Sequence, residues 1–235
     1  MAVPDRMDEQ LRALGLVEGQ RAARALFSEV TARGLIAPGW LESEVTDRIR
    51  ELAREMSPRV PRRPLPVVRS GPQCVLPGGQ EPTDDRVIEP DDLVIADLGP
   101  MFAGYGTAFA RTAVAGQDPD RLRLLDDLPR VFTAVREAFR AELPMTGAAL
   151  YAEARTLATK AGWTLGGWHA GRLTDATPPA RADAVRAEAW ISPDNDRPLR
   201  RTTDEGHQAH WVLEIHLVDE HRGFGGAYTG LLDLA

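Results

Sequence analysis

Residues 93–100 read Leu-Val-Ile-Ala-Asp-Leu-Gly-Pro, and this stretch decides the fold. Its first four side chains are apolar, which predicts a buried β-strand that runs directly into Asp97. A carboxylate on an apolar strand needs a partner, because an unpaired buried charge is costly. Two interpretations follow. Either Asp97 caps nearby backbone N–H groups, or it is a metal ligand or catalytic acid. The spacing alone does not separate them.

The residues around this strand form an ordered set of motifs. After Asp97-Leu98-Gly99 come a Gly104-Tyr105 turn and the pair Arg111-Thr112 on a returning strand. This run resembles the pita-bread peptidases, a family that includes methionine aminopeptidase, aminopeptidase P, prolidase and creatinase. Further segments match the family in the expected order: Ser70-Gly71-Pro72-Gln73, Glu89-Pro90-Asp91-Asp92, Gly167-Trp168-His169-Ala170-Gly171 and Trp211-Val212-Leu213-Glu214.

The resemblance covers about Leu65 to Leu234 and implies an α+β fold in which helices cover an antiparallel sheet. Hydrophobic periodicity points to the same class. We expect one pita-bread domain over residues 1–235, with N-terminal helices in 1–60 and the motifs in 65–235. The predicted helices lie in 11–30, 40–56, 120–142 and 146–161. The predicted strands are 65–69, 93–98, 109–115, 211–218 and 223–234.

Composition excludes several classes of protein. The 28 Lys and Arg against 35 Asp and Glu give a net charge of −7, which disfavours nucleic-acid binding. Cys74 is the sole cysteine, so neither an intrachain disulfide nor a Cys-based zinc site is expected, as in a reducing cytoplasm. No stretch approaches the ~20 apolar residues of a membrane span. We expect a cytoplasmic protein with a small-molecule or peptide ligand and no nucleic-acid or membrane partner. The dimers known among relatives leave a homodimer open.

The resemblance implies five metal ligands, in the order Asp, Asp, His, Glu, Glu, which hold two divalent ions about 3.5–4 Å apart. Asp97, His169 and Glu214 match three of them. The other two positions hold Ala108 and Thr229 in place of carboxylates. A simple hairpin would set residues 97 and 108 opposite each other. We therefore predict that the chain has lost most of the dimetal site and uses no metal cofactor.

Other candidates surround these residues. Gly78 and Ala176 stand where the family has histidines. His216 follows Glu214 by two residues, so strand alternation points both side chains to one face. His216 is either an acid/base that the family places elsewhere or a strand histidine satisfied by a neighbour. The candidate catalytic residues are thus Asp97, His169, Glu214 and His216, and the candidates for substrate binding are Trp168, Tyr105 and Arg111.

Three functions remain open on this reading. The first is a metal-independent enzyme that acts on a small amide, amino-acid or peptide-like substrate, for which creatinase offers an analogy. The second is a non-catalytic pseudo-peptidase that binds a peptide or a protein partner. The third is a working Xaa-Pro-type metallopeptidase whose ligands lie at positions other than those aligned above. The sequence does not decide whether the chain is an enzyme.

Overall fold

The computed structural model describes residues 6–57, 67–78, 80, 84–99, 108–174 and 186–234. Four helices and seven strands account for most of this part of the chain. The helices are α1 (Arg6–Ala32), α2 (Glu42–Met56), α3 (Pro119–Ala141) and α4 (Gly147–Lys160). The strands are β1 (Val67–Ser70), β2 (Leu93–Asp97), β3 (Ala110–Val114), β4 (Thr164–Leu165), β5 (Gly171–Leu173), β6 (Trp211–Asp219) and β7 (Phe224–Leu231). Short 3-10 helices cover Gly71–Val75 and Ala187–Ala189.

The strands form two antiparallel sheets. The first has the order β1-β2-β3, and in the second β6 pairs with β4, β5 and β7. A side chain joins the two sheets at β3 and β7. The Thr112 hydroxyl accepts from the Ala227 N–H (2.8 Å) and donates to the Ala227 carbonyl (3.0 Å). Asp97, on β2, lies in the first sheet, and Glu214, on β6, lies in the second.

Each sheet buries one face against its own pair of helices. Helices α1 and α2 place apolar side chains such as Leu26 and Ile49 against Val94 of the first sheet. Helices α3 and α4 cover the second sheet, where Phe132 shares a core with Leu213. Burial of these apolar faces is the main favourable contribution to the fold. The described part of the chain is α+β, with helices over antiparallel sheets, as the sequence predicts.

A buried carboxylate fixes the loop that follows β1. Glu42, at the start of α2, is 3% exposed, and its Oε1 accepts from both the backbone N–H and the hydroxyl of Ser70 at 2.6 Å. Burial raises the pKa of Glu42, while the bonds from Ser70 oppose the rise. Helix α2 thereby anchors the start of the segment 71–78, which ends at the candidate site.

The predicted elements agree with the structure to within a few residues at each end, apart from the earlier start of α1. The short strands β4 and β5 were not predicted. The observed register of the β2–β3 hairpin differs from the expected one. Asp97 lies opposite Ala110, whereas the simple hairpin placed it opposite Ala108. Leu98 and Phe109 are both fully buried, and the Leu98 N–H donates to the Phe109 carbonyl at 2.8 Å. Burial of this pair sets the register two residues away from the expected one.

The Pro- and Arg-rich residues 58–66 lie outside the part of the chain that the structure describes. Within the described ranges, no helix is long and apolar enough to cross a membrane.

Candidate functional site

Three of the sequence-predicted residues meet where the two sheets adjoin. Asp97 is the last residue of β2, Glu214 lies on β6, and His169 is in the turn before β5. His169 Nδ1 is 4.0 Å from Glu214 Oε2, and the charge of Glu214 acts on Asp97. Gly78 lines the same place, since a Cβ built on it would lie 3.7 Å from Glu214 Oε2. The structure thus brings together side chains up to 117 positions apart in the sequence, from Asp97 to Glu214.

Arg172 is a member of this site that the sequence analysis missed. Its Nε donates to Glu214 Oε1 at 3.2 Å, and the two side chains are only 15% and 21% exposed. Arg172 lies on β5, a three-residue strand with no periodicity of its own. Only its position three residues after His169 could have drawn attention to it. The contact gives Glu214 a cationic partner within the protein.

Burial shifts both carboxyl groups toward the protonated form. Burial is the main cause that raises the pKa of Asp97; the Gly99 N–H, at 2.9 Å from its Oδ1, opposes the rise, and the charge of Glu214 adds to it. The charges of Arg69 and Arg172 also oppose it. Burial likewise raises the pKa of Glu214, against the charge and hydrogen bond of Arg172. The Gly99 contact is the one that the capping interpretation of Asp97 predicts.

His169 is a neutral imidazole packed against two indole rings that also contact each other, with centroids 4.8 Å apart. Its ring centroid lies 4.6 Å from those of Trp168 and Trp190. Burial, followed by the charge of Arg172, lowers the pKa of His169 to about 4. Its Nδ1 is buried and has no hydrogen-bond partner among the described residues. Trp168 is 45% exposed beside it, whereas Trp190 is buried.

His216, on β6, makes a structural hydrogen bond. Its Nε2 donates to the Cys74 carbonyl at 2.8 Å, because that oxygen only accepts. Burial lowers the pKa of His216 to about 4. Its Nδ1 is buried and unbonded within the described chain, and it faces Gly166, where a Cβ would come within 2.4 Å. The Cys74 contact is the one that the structural alternative for His216 predicts, while Nδ1 has no partner among the described residues.

Arg69, on β1, positions the loop at Gly78. Its guanidinium donates to the carbonyls of Leu76 (2.8 Å) and Pro77 (3.2 Å). The residue is 5% exposed, and its charge opposes the raised pKa of Asp97. Like Arg172, it was not a candidate from the sequence.

The other candidates lie as follows. Thr229 is directly opposite Glu214 in the β6–β7 ladder. Arg111 is 8% exposed, donates to the Thr229 carbonyl and lies between the rings of Phe109 and Tyr228. Burial lowers the pKa of Arg111 to about 10. Its guanidinium holds β3 against β7. Tyr105 and Ala176 lie outside the described residues.

The donor set does not fit a two-metal centre. Asp97, His169 and Glu214 offer oxygen or nitrogen donors, but Ala108 offers none and Thr229 offers only a hydroxyl. The guanidinium of Arg172 already contacts Glu214. Within the ranges that the structure describes, no group of three or more His, Cys, Asp or Glu side chains is placed to hold a metal ion.

The chain is similar in sequence to known peptidases. Residues 15–202 match the model of metallopeptidase family M24. A Xaa-Pro dipeptidase of Lactobacillus delbrueckii subsp. lactis is 35% identical over 98 residues, which are 41% of this chain and 26% of that protein.

Solved structures agree on the fold. A dipeptidase from Pyrococcus horikoshii OT3 matches with a TM-score of 0.67 at 23% identity, over 97% of this chain and 57% of that one. An X-Pro aminopeptidase from Thermotoga maritima MSB8 matches with a TM-score of 0.69 at 19% identity, over 98% and 62%. The chain thus spans less than two thirds of the length of these relatives. The pita-bread α+β fold expected from the motifs is confirmed, and the chain belongs to metallopeptidase family M24.

Proposed function

We propose that this M24 chain is a metal-independent enzyme that acts on a small amide, amino-acid or peptide-like substrate. The observation that carries the proposal is the juxtaposition of two kinds of group: carboxyl groups whose pKa values are raised, and a neutral imidazole 4.0 Å from one of them. Groups with opposed protonation preferences in one site are suited to general acid–base catalysis.

The roles follow from protonation state and position. His169 is neutral at pH 7 because its pKa is about 4, and its buried, unbonded Nδ1 is the ring atom that would accept a proton from a water or substrate entering beside Glu214. Asp97 has a raised pKa and is the candidate acid for a leaving nitrogen. Glu214, held by Arg172, orients the substrate or the attacking water near His169. The exposed ring of Trp168 offers an apolar surface beside them.

A second candidate is a non-catalytic protein that binds a peptide. It is favoured by the bonds that Asp97 and His216 make to backbone groups of the protein itself, which account for both side chains structurally. A third candidate is a working Xaa-Pro-type metallopeptidase. It is favoured by family membership and by the identity to a Xaa-Pro dipeptidase over 98 residues. We rank it behind the others because the positions of Ala108 and Thr229 provide no carboxylate.

One experiment separates the three. Purified protein is assayed by mass spectrometry on a mixture of dipeptides, N-acyl amino acids and small amides, after treatment with EDTA and again with added Mn²⁺ or Co²⁺. We expect turnover that survives EDTA and falls at least tenfold in Asp97→Asn and His169→Phe, since a positioned acid or base contributes about 10²–10⁴-fold. Binding without turnover selects the second candidate. Turnover only with added metal, together with two bound ions per chain, selects the third.

A further inference from the structure

We infer that Arg172 is a resident cation of the M24 site: its guanidinium neutralises Glu214 and keeps divalent ions from binding there. This inference rests on the proposed function, which states that the chain works without a dinuclear centre. It adds the residue that enforces that state. Arg172 is a positioning residue, because it acts through Glu214.

The geometry places Arg172 on Glu214 by strand pairing. In the β5–β6 ladder Arg172 lies opposite Val212, and just before this ladder the Glu214 N–H donates to the Ala170 carbonyl at 2.8 Å. Arg172 and Glu214 are therefore diagonal neighbours on the same face, a spacing that long side chains bridge. The contact at 3.2 Å is between groups that are at least 79% shielded from solvent. Shielding strengthens the attraction well beyond that of an exposed pair.

The carboxyl groups of the site already have cationic neighbours within the protein. Two carboxyl groups, on Asp97 and Glu214, are accompanied by two guanidinium groups, on Arg69 and Arg172. The guanidinium of Arg69 donates to the Leu76 and Pro77 carbonyls, whereas that of Arg172 contacts a carboxylate. A divalent ion at Glu214 would have to displace Arg172 and then lie a few ångströms from its charge.

The effect of Arg172 on metal binding differs in kind from the effect of the carboxylates missing at Ala108 and Thr229. Those two residues remove donors, which weakens a metal site passively. A cation on a remaining donor opposes the metal directly, so restoring the missing carboxylates is not sufficient while Arg172 is present. This distinction makes the inference testable by restoring the donors with and without the arginine.

The experiment compares Ala108→Asp/Thr229→Glu with the same double variant carrying Arg172→Ala, and with one carrying Arg172→Lys. Each folded protein is dialysed against Mn²⁺, Co²⁺ or Zn²⁺, and its bound metal is counted by elemental analysis. Circular dichroism and gel filtration verify folding. We expect less than one ion per chain for the double variant and for the lysine version, and about two for the alanine version, with at least tenfold tighter binding by calorimetry.

Each outcome bears on one claim. Equal metal content in the double variant and its Arg172→Ala version, whether high or low, overturns the role of Arg172. Two ions in the unmodified protein instead overturn the proposed metal-independent function. If the double variant does not fold, the single variant Ala108→Asp is compared with its Arg172→Ala and Arg172→Lys versions by thermal melting with millimolar Mn²⁺. A metal-induced rise in the melting temperature confined to the Arg172→Ala version supports the inference, and equal shifts in all three proteins overturn it.

Discussion

The two sheets contribute carboxylates to one site but hold them in different ways. On the first sheet, Asp97 is bonded to the Gly99 N–H, and Arg69 is bonded to backbone carbonyls. On the second sheet, Glu214 contacts the side chain of Arg172 and lies near the ring of His169. Backbone bonds fix a group in place, whereas side chains that pair with each other can exchange partners with a ligand. We therefore expect Asp97 to keep its position when a ligand binds and Glu214 to be the carboxylate that changes partner.

The largest expected effect tests the ion pair of the second sheet. Arg172→Ala leaves Glu214 mostly buried without its cation and should lower the free energy of unfolding by about 3 kcal/mol. Adding Glu214→Gln should recover at least half of that loss, because a neutral amide is less costly to bury. Chemical denaturation of the two single variants and the double variant measures the coupling. Additive losses would mean that the pair does not interact in solution.

His169 provides a pH test of the same sheet. Its pKa is about 4 in the fold and about 6.5 when unfolded, so the unfolded chain binds the extra proton first as pH falls. The wild type should therefore lose about 3 kcal/mol more stability than His169→Phe between pH 7 and pH 4. Phenylalanine keeps a ring against Trp168 and Trp190 but does not titrate. Parallel pH profiles of denaturation for the two proteins would contradict the low pKa.

Gly166 and Gly78 differ in the free space that an added methyl group would find. A Cβ on Gly166 would lie 2.4 Å from His216 Nδ1, whereas one on Gly78 would lie 3.7 Å from Glu214 Oε2. Gly166→Ala should cost about 2 kcal/mol through overpacking, and Gly78→Ala should change stability by less than about 0.5 kcal/mol. Thermal melting of the two variants gives the difference. Equal stabilities would show that the His216 ring moves aside freely.

The smallest effect belongs to the first sheet. Because the raised pKa of Asp97 means that the fold holds its proton more tightly, its ionisation subtracts stability as pH rises through the folded pKa. Asp97→Asn removes that cost and can still accept from the Gly99 N–H, so a gain of up to about 1 kcal/mol is expected at pH 8. The gain should vanish at low pH. A loss of stability at pH 8 would show that the charge itself is held favourably.

The sequence was informative where local pattern and motif order agree. The apolar run ending at Asp97 and the motifs at His169 and Glu214 were sufficient to predict the fold and three residues of one site. Arg172 escaped because its role depends on the pairing of a three-residue strand with β6, which no local pattern encodes. The hairpin register was wrong by two residues because the buried pair Leu98 and Phe109 decides it, and a shift of two leaves the alternation of faces unchanged. The contacts of His216 and Arg69 depend on backbone carbonyls that have no sequence signature.

The hydroxyl of Thr112 has a mechanical consequence. Among the described strands, no backbone ladder joins β3 to β7. Their junction is made by the two Thr112 bonds, the Arg111 contact with the Thr229 carbonyl and the apolar contact of Ala110 with Ala227. A few point attachments resist sliding less than a continuous ladder does. We therefore expect the separation of Asp97 and Glu214 to change more readily than distances within either sheet.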